Sequence, residues 1–418
     1  LNQSRTRNGS TVLMGIAVVI FTIALVVYPK EGFDSGIEGL KLFWMTVFPS
    51  LLPFFILSEL MLGLGIVRGF GVLLEPLMRP LFGVPGIGAF ALSMGLAAGY
   101  PMDAVITARF REDGLCSRVE GERLLAFTNT ADPLFMIGAV AVGMFKSPAV
   151  GGLLAIAHYI SSFLVGVAFK FWGRKQSKSG PPQGRIPVRG ILRRAYQEML
   201  QGRLEDGRPF GKLLGNAVTE SISTLMMICG FIVFFAVFIR ILNISGIMGI
   251  LGWPVVVVYK IFGINAHLVG PTLSGALEID IGTSQVAAAS APLLQKLALA
   301  SAIIAWSGLA VHAQVASVLT QTDIRMAPYF LARFLHAALA AVLTVIFWSL
   351  GVGRVAGAAF AHSVPVFQAL SSATAGNSWW HTVTTGLSTW VWFSLGLLVL
   401  AAASLVLHRV RILSWHVR

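Results

Sequence analysis

Charge is the first thing this chain is short of. Only 12% of its 418 residues are charged and 56% are hydrophobic, whereas a water-soluble domain carries roughly 25% charged residues. With a mean hydropathy of +0.78, that scarcity excludes a soluble globular domain and points to an all-α polytopic membrane protein embedded in the lipid bilayer. Cysteine is nearly absent as well. Cys116 and Cys229 lie far apart in no metal-like spacing, so neither a disulfide framework nor a zinc site is expected. The chain has no nucleophile elbow, no His-Glu-x-x-His and no P-loop. It therefore reads as a non-enzyme with no cofactor. Any transport it performs is passive or driven by an ion gradient, Na+ or H+. The net charge of +13 does not imply a nucleic-acid partner, because the basic residues gather in a few loops, as they do where a membrane protein sets its orientation.

Eight apolar runs are long enough to span a bilayer: Val12–Tyr28, Phe43–Val67, Leu124–Phe145, Ala149–Trp172, Ile222–Leu242, Leu297–Leu319, Pro328–Leu350 and Trp390–Leu407. The first lacks a small-residue cleavage site and reads as a retained helix. Arg5 and Arg7, the arginine- and lysine-rich segment Gly173–Lys212, and Arg409, Arg411 and Arg418 all belong on the cytosolic side, with both termini. These placements agree with one another only if two further segments, 82–109 and about 262–290, enter and leave on one face each as re-entrant hairpins.

Those two segments are the same interruption written twice. Phe82-Gly83 and Gly95 recur as Phe262-Gly263 and Gly275, each 180 residues on. Glycine, proline and acid make both poor continuous helices. Each half then reads helix, hairpin, helix, helix, in opposite orientation, which is an inverted repeat. The expected division is an N-terminal helix and loop (1–40), a first repeat (41–172), a flexible basic cytosolic linker (173–212), a second repeat (213–350), and an external loop with a last helix (351–418). Trp379, Trp380 and His381 in that loop suit an aromatic belt.

Non-helical chain at membrane depth survives only where it is packed in protein or lines a wet cavity, and half-helix N-termini there attract anions. The expected substrate contacts are Ser93, Tyr100, Thr128, Asn129, Thr130, Ser274, Thr283, Ser307, His312 and Gln314. Asp103, Asp132, Glu278 and Asp280 are expected to serve ion coupling or hairpin structure, since an acid in apolar surroundings is costly and by default functional. His312 and Gln314, two apart, share a helix face only if the helix unwinds, which Gly308 permits. Glu59 and Glu220 are either pathway residues or ion pairs at helix ends. Arg109 and Arg111 either anchor the first hairpin or attract an anion. Arg333 and His336 are ambiguous, and His158, Tyr159, Ser161 and Ser162 read as packing.

Four motifs carry a resemblance: Gly99-Tyr100-Pro101, Asn129-Thr130 with Pro133-Leu134-Phe135, Gly275 with Glu278-Ile279, and Ser307-Gly308 followed by Val311-His312-Ala313-Gln314. They resemble the YlbJ/SpoVV family of sporulation membrane proteins, within the nucleoside-recognition (Gate) group related to concentrative nucleoside transporters, over roughly residues 40–350. The resemblance implies a carrier in the outer forespore membrane for dipicolinate, a flat aromatic dianion. Asp103, Trp306 and Ala310 depart from the family pattern. The competing readings are a nucleoside or other small-solute carrier and a non-transporting assembly factor. Oligomeric state is left open.

Overall fold

The computed structural model describes residues 2–173 and 190–352. Among them there are sixteen α-helices and no strand. The helices are α1 (Asn2–Val27), α2 (Pro29–Leu42), α3 (Phe48–Gly63), α4 (Ile66–Phe82), α5 (Gly88–Ala98), α6 (Met102–Glu112), α7 (Arg118–Thr128) and α8 (Ala149–Phe169). Then follow α9 (Ile191–Asp206), α10 (Phe210–Ile244), α11 (Ile247–Phe262), α12 (Val269–Leu277), α13 (Ile279–Ala288), α14 (Leu293–Trp306), α15 (Gly308–Val318) and α16 (Met326–Ser349). A π-helix, Leu134–Met144, lies between α7 and α8.

One order of elements occurs twice. Helices α3 to α7, the π-helix and α8 correspond in sequence to α10 to α16. The most regular marks are the glycines around the fourth and eleventh helices. Gly65 and Gly246 precede them and Gly83 and Gly263 end them, all four in the left-handed region. A side chain is disfavoured there, so the chain turns where the sequence places glycine. Helix α4 leaves α3 at 85°, and it and α11 are arms that deliver each hairpin. The sequence reading had no counterpart for either arm.

Both interrupted segments are helix–break–helix pairs. Helices α5 and α6 fold against each other around Gly99–Pro101, and α12 and α13 around Glu278, which sits in extended backbone. Glu278 accepts a hydrogen bond from the Ile281 amide at 2.7 Å, capping α13. Helix α7 opens with a reciprocal cap, the Glu120 amide bonding the Ser117 hydroxyl at 3.3 Å and the Ser117 amide bonding the Glu120 carboxylate at 2.9 Å.

Four helices among the described residues are long and apolar enough to cross a membrane, or six if each bent pair counts as one, in keeping with an all-α polytopic membrane protein. Phe43–Val67 is bent at Leu64-Gly65, and Leu124–Phe145 is broken at Asn129–Pro133, so neither is one straight helix. Hydropathy averages over such breaks. The expected span Trp390–Leu407, and the loop with Trp379, Trp380 and His381, lie outside the described residues. Part of the linker is not a flexible connector: α9 packs on α4 so closely that a Cβ on Gly65 would lie 2.2 Å from the Met199 carbonyl oxygen. The centre of the protein is the crossing of α8, α14 and α16, built on buried Leu153, Leu154, Leu297, Ala300 and Ile304.

Candidate functional site

Each hairpin tip is seated against a helix break in its own half. A Cβ on Gly95 would come within 2.2 Å of the Thr128 carbonyl oxygen, and one on Gly99 within 2.8 Å of Asp132 Oδ2. In the second half a Cβ on Gly308 would meet the Glu278 Cα and the Leu277 oxygen at 3.0 Å. Trp306 Nε1 donates to the Ala276 oxygen at 3.0 Å. The breaks themselves are Asn129–Pro133 after α7 and Ser307, at φ 69°, between α14 and α15.

A helix that stops inside a membrane exposes its last carbonyls, and lipid offers them no donor. The side chains of this site answer that need. At the end of α7, the Leu124 oxygen accepts from Thr128 Oγ1 at 2.9 Å, the Phe127 oxygen from Ser162 Oγ at 2.6 Å and the Ala126 oxygen from Arg333 Nη2 at 2.6 Å. The Asn129 oxygen accepts from Arg333 Nη1. At the end of α14, the Ile304 oxygen accepts from the Tyr100 hydroxyl at 2.8 Å and the Ala305 oxygen from Arg333 Nη1 at 3.4 Å. Arg333 thus caps both broken helices at once and puts its positive charge where each helix dipole is negative. It is fully buried, and no carboxylate among the described residues pairs with it directly.

A second network joins the halves through side chains. Asp103, in the first turn of α6, accepts from Asn129 Nδ2 at 2.8 Å and lies 3.0 Å from Thr128 Oγ1, whose single proton it shares with the Leu124 oxygen. The Asn129 carboxamide oxygen accepts from the Tyr329 hydroxyl at 2.9 Å. The Asn129 side chain therefore donates to the first hairpin and accepts from the second repeat. The second hairpin has its own acids: Glu278 caps α13, and Asp280 follows two residues later in the first turn of that helix. Asp132 accepts from the Phe135 amide at 2.9 Å. The N-terminal turns of α6 and α13 are therefore already supplied with carboxylates from the chain itself.

The remaining expected residues separate. Thr130 is buried and donates to the Thr128 oxygen at 3.3 Å. Thr283 bonds back to the Ile279 oxygen at 2.7 Å within its helix, and Ser274 is buried in α12. Ser93 is exposed and bonds the Ala89 oxygen at 2.8 Å, away from the network. His312 and Gln314 are both buried on α15, which is regular after the break, so the unwinding precedes them at Ser307. The His312 ring lies among Trp306, Phe330 and Tyr329, with centroids 4.3, 4.6 and 5.0 Å away. Tyr329 and Arg333 join the two repeats, and the sequence reading passed over the first and left the second undecided. The signal was Tyr329, Arg333 and His336 at i, i+4 and i+7 on one face of an otherwise apolar helix.

Two cavities flank α10. One, of about 310 Å³, is lined by Ser35, Glu38, Arg240, Asn243, Glu278 and Gln285 among others. The other, of about 330 Å³, includes Glu59, Arg109, Glu112, Glu220, Ser221 and Thr224. Their α10 linings centre roughly 16 residues apart, about 24 Å at 1.5 Å per residue. In the second cavity Arg109 faces Glu220 at 3.4 Å, Glu112 at 3.8 Å and Glu59 at 3.9 Å. Arg111 is held by Asp323 at 2.7 and 3.0 Å. Both arginines are neutralised by acids, so they anchor the hairpin and create no positive funnel. Glu59 and Glu220 are ion-pair partners.

The nucleoside-recognition (Gate) family profile matches residues 44–163, which contain the first hairpin and its break. The sporulation integral membrane protein YlbJ of Bacillus subtilis (strain 168) is 44% identical over 339 residues, 81% of this chain and 83% of that protein. The chain belongs to the YlbJ family. The aligned stretch is too long to leave out both repeats, so the multi-pass membrane architecture is a family property. No solved structure matches the chain.

Proposed function

We propose that this protein carries dipicolinate, or a similar small anion, across the outer forespore membrane during sporulation, by alternating access around the network between its two hairpins. The observation that carries this reading is the doubled tip-on-break arrangement, bridged by one polar network. Paired discontinuous helices in the two halves of a membrane protein are the usual setting of a transporter's site. The two cavities supply the rest of the geometry. From the one at Arg109, helix α6 leads to Asp103 and the Asn129–Tyr329 bridge. From the one at Glu278, the hairpin tip leads to the break at Ser307-Gly308. The network closes the interval between them. Opening it on one face frees the Asn129 carboxamide, the Thr128 hydroxyl and the Arg333 guanidinium, all donors suited to carboxylates, while the Tyr100 ring offers a stacking face. Glu278, Asp280 and Asp103 repel a dianion and serve the hairpins. The charge distribution of the sequence supports cytosolic termini, and the family name supports the sporulation setting.

A nucleoside is the second reading, favoured by the Gate match and by a site rich in amide and hydroxyl groups. Uptake of labelled dipicolinate and labelled uridine into proteoliposomes decides between them. Uptake of dipicolinate alone is the expected result. Uptake of uridine alone supports the nucleoside carrier, and uptake of neither by folded protein supports an assembly role.

A further inference from the structure

Two histidines, His158 on α8 and His336 on α16, stand 178 residues apart, as do Asn129 and Ser307 at the two helix breaks. They are repeat-related, and α8 and α16 cross, so the rings meet where the halves meet. Both are buried, with ring centroids 4.6 Å apart and planes at 40°.

Their hydrogen bonds assign the protons. His158 Nε2 accepts from the Ala131 amide at 3.1 Å, so the neutral ring carries its proton on Nδ1. His336 Nε2 faces the His158 carbonyl oxygen at 2.9 Å. A carbonyl only accepts, so Nε2 carries the proton of His336 and its Nδ1 keeps a lone pair. Neither Nδ1 has a partner. The pair therefore holds one buried donor without an acceptor and one buried acceptor without a donor, close to each other, where an unmade hydrogen bond is costly. The only uncommitted basic atom of the pair is His336 Nδ1.

We infer that the His158–His336 pair is the site of the coupling proton, with His336 Nδ1 the atom that takes it up. This rests on the transport reading above. The proton arrives on hydronium: one of its O–H bonds breaks as an N–H bond forms to that lone pair, and a neutral water is left. The groups around it set the condition. Helix α16 carries Arg333 about one turn before His336 and Tyr329 one turn earlier still. From α8 comes Tyr159, whose hydroxyl donates to the Ala131 oxygen at 3.0 Å. The segment after α7 contributes Asp132, the first hairpin Tyr100, and α14 the Ser301 hydroxyl, which donates to the Ala340 oxygen at 3.3 Å. Arg333 is the cation of this group, and a second positive charge beside it is unfavourable while the site is empty. An anion seated on Arg333 removes that penalty. Cargo and proton then favour each other reciprocally, which is proton–anion symport.

The test uses labelled dipicolinate in proteoliposomes held at zero membrane potential, with and without a proton gradient directed inward. One proton per cargo gives accumulation of about tenfold per pH unit imposed. His336→Gln keeps an N–H for the His158 carbonyl but has no ring lone pair, and it is expected to lose that accumulation. Accumulation by His336→Gln equal to wild type overturns the assignment. A second measurement needs no uptake. Spectra of isotope-labelled histidine in nanodiscs, with dipicolinate added so that Arg333 can seat an anion, read ring protonation in the wild-type chain over about pH 8 to 5, the range in which histidine ordinarily titrates. A ring that becomes imidazolium and is missing from His336→Gln supports the site. Both rings neutral throughout overturns it. Absence of any wild-type uptake strikes at the transport reading, and the histidine spectra then decide the proton site alone.

Discussion

Replacing Asn129 with alanine removes a side chain that bonds both halves at once. The variant loses the donor to Asp103 at 2.8 Å and the acceptor for the Tyr329 hydroxyl at 2.9 Å. Side-chain hydrogen bonds between membrane helices average about 0.6 kcal/mol and reach about 1.7. The bond to Asp103 goes to a carboxylate in a buried setting and belongs at the upper end, and the Tyr329 bond belongs near the mean. The sum is about 2–3 kcal/mol. For a chain of this size roughly 2 °C of melting temperature accompanies each kcal/mol, so the purified variant should melt about 4–6 °C below wild type while still inserting in the membrane. A double-mutant cycle with Tyr329→Phe isolates the bridge, with an expected coupling of about 0.6 kcal/mol. Dipicolinate uptake should be lost, because Asp103 and Tyr329 no longer have their common partner. A melting point within about 1 °C of wild type, with additive Asn129 and Tyr329 effects, refutes the claim that this carboxamide ties the repeats together.

Three further outcomes are expected. Gly95→Ala puts a methyl 2.2 Å from the Thr128 backbone oxygen, which cannot yield as a side chain can, so it should cost about 3 kcal/mol or more; Gly215→Ala, with nothing within 4 Å, should be neutral or slightly stabilising in the same melting assay. The Arg111 hydrogen bonds, and then its charge, hold the Asp323 carboxyl below its ordinary 3.8. A carboxylate held low stabilises the fold above its unfolded pKa and loses that contribution as pH falls through the folded one, so Asp323→Asn should cost at most about 0.5 kcal/mol at pH 7 for this largely exposed, salt-screened pair, and the cost should shrink progressively in melts taken at pH values below 3.8. Finally, with Cys116 and Cys229 replaced, Gln197→Cys on α9 and Ser245→Cys after α10 should react with impermeant thiol reagents from opposite sides of the membrane, and labelling from one side contradicts the inverted repeat.

Much of the architecture was legible because membrane burial imposes strong rules on composition. The paired Phe-Gly marks at Phe82-Gly83 and Phe262-Gly263 pointed to the doubled hairpins because glycine stands where the backbone must turn left-handed. The breaks were less legible. Asn129-Thr130 was visible as a polar cluster, but a window of about 20 residues counts Leu124–Phe145 as one span. The arms α4 and α11 were missed for a similar reason: α4 holds Pro76 and Pro80 inside a helix, and local rules read proline as a stop. Of the expected contacts, Thr128 and Asn129 converge in space on Asp103, which was expected to serve coupling or hairpin structure, and Tyr100 reaches the second break. Ser93 does not join them, since its helix turns it outward.

The sequence by itself determined that this is a membrane protein, that its chain repeats, and which polar residues interrupt its apolar segments. Those properties depend on transfer free energies and local backbone preferences, which act residue by residue. Only the tertiary structure decided what the polar residues do for one another. Arg333 is an isolated cation on an apolar helix until the fold brings it to the open carbonyls of Ala126, Asn129 and Ala305. His158 and His336 are two separate histidines until α8 crosses α16. Hydrogen bonds are short and directional, and their partners here lie some 180 to 200 residues away along the chain, so no local pattern could have paired them.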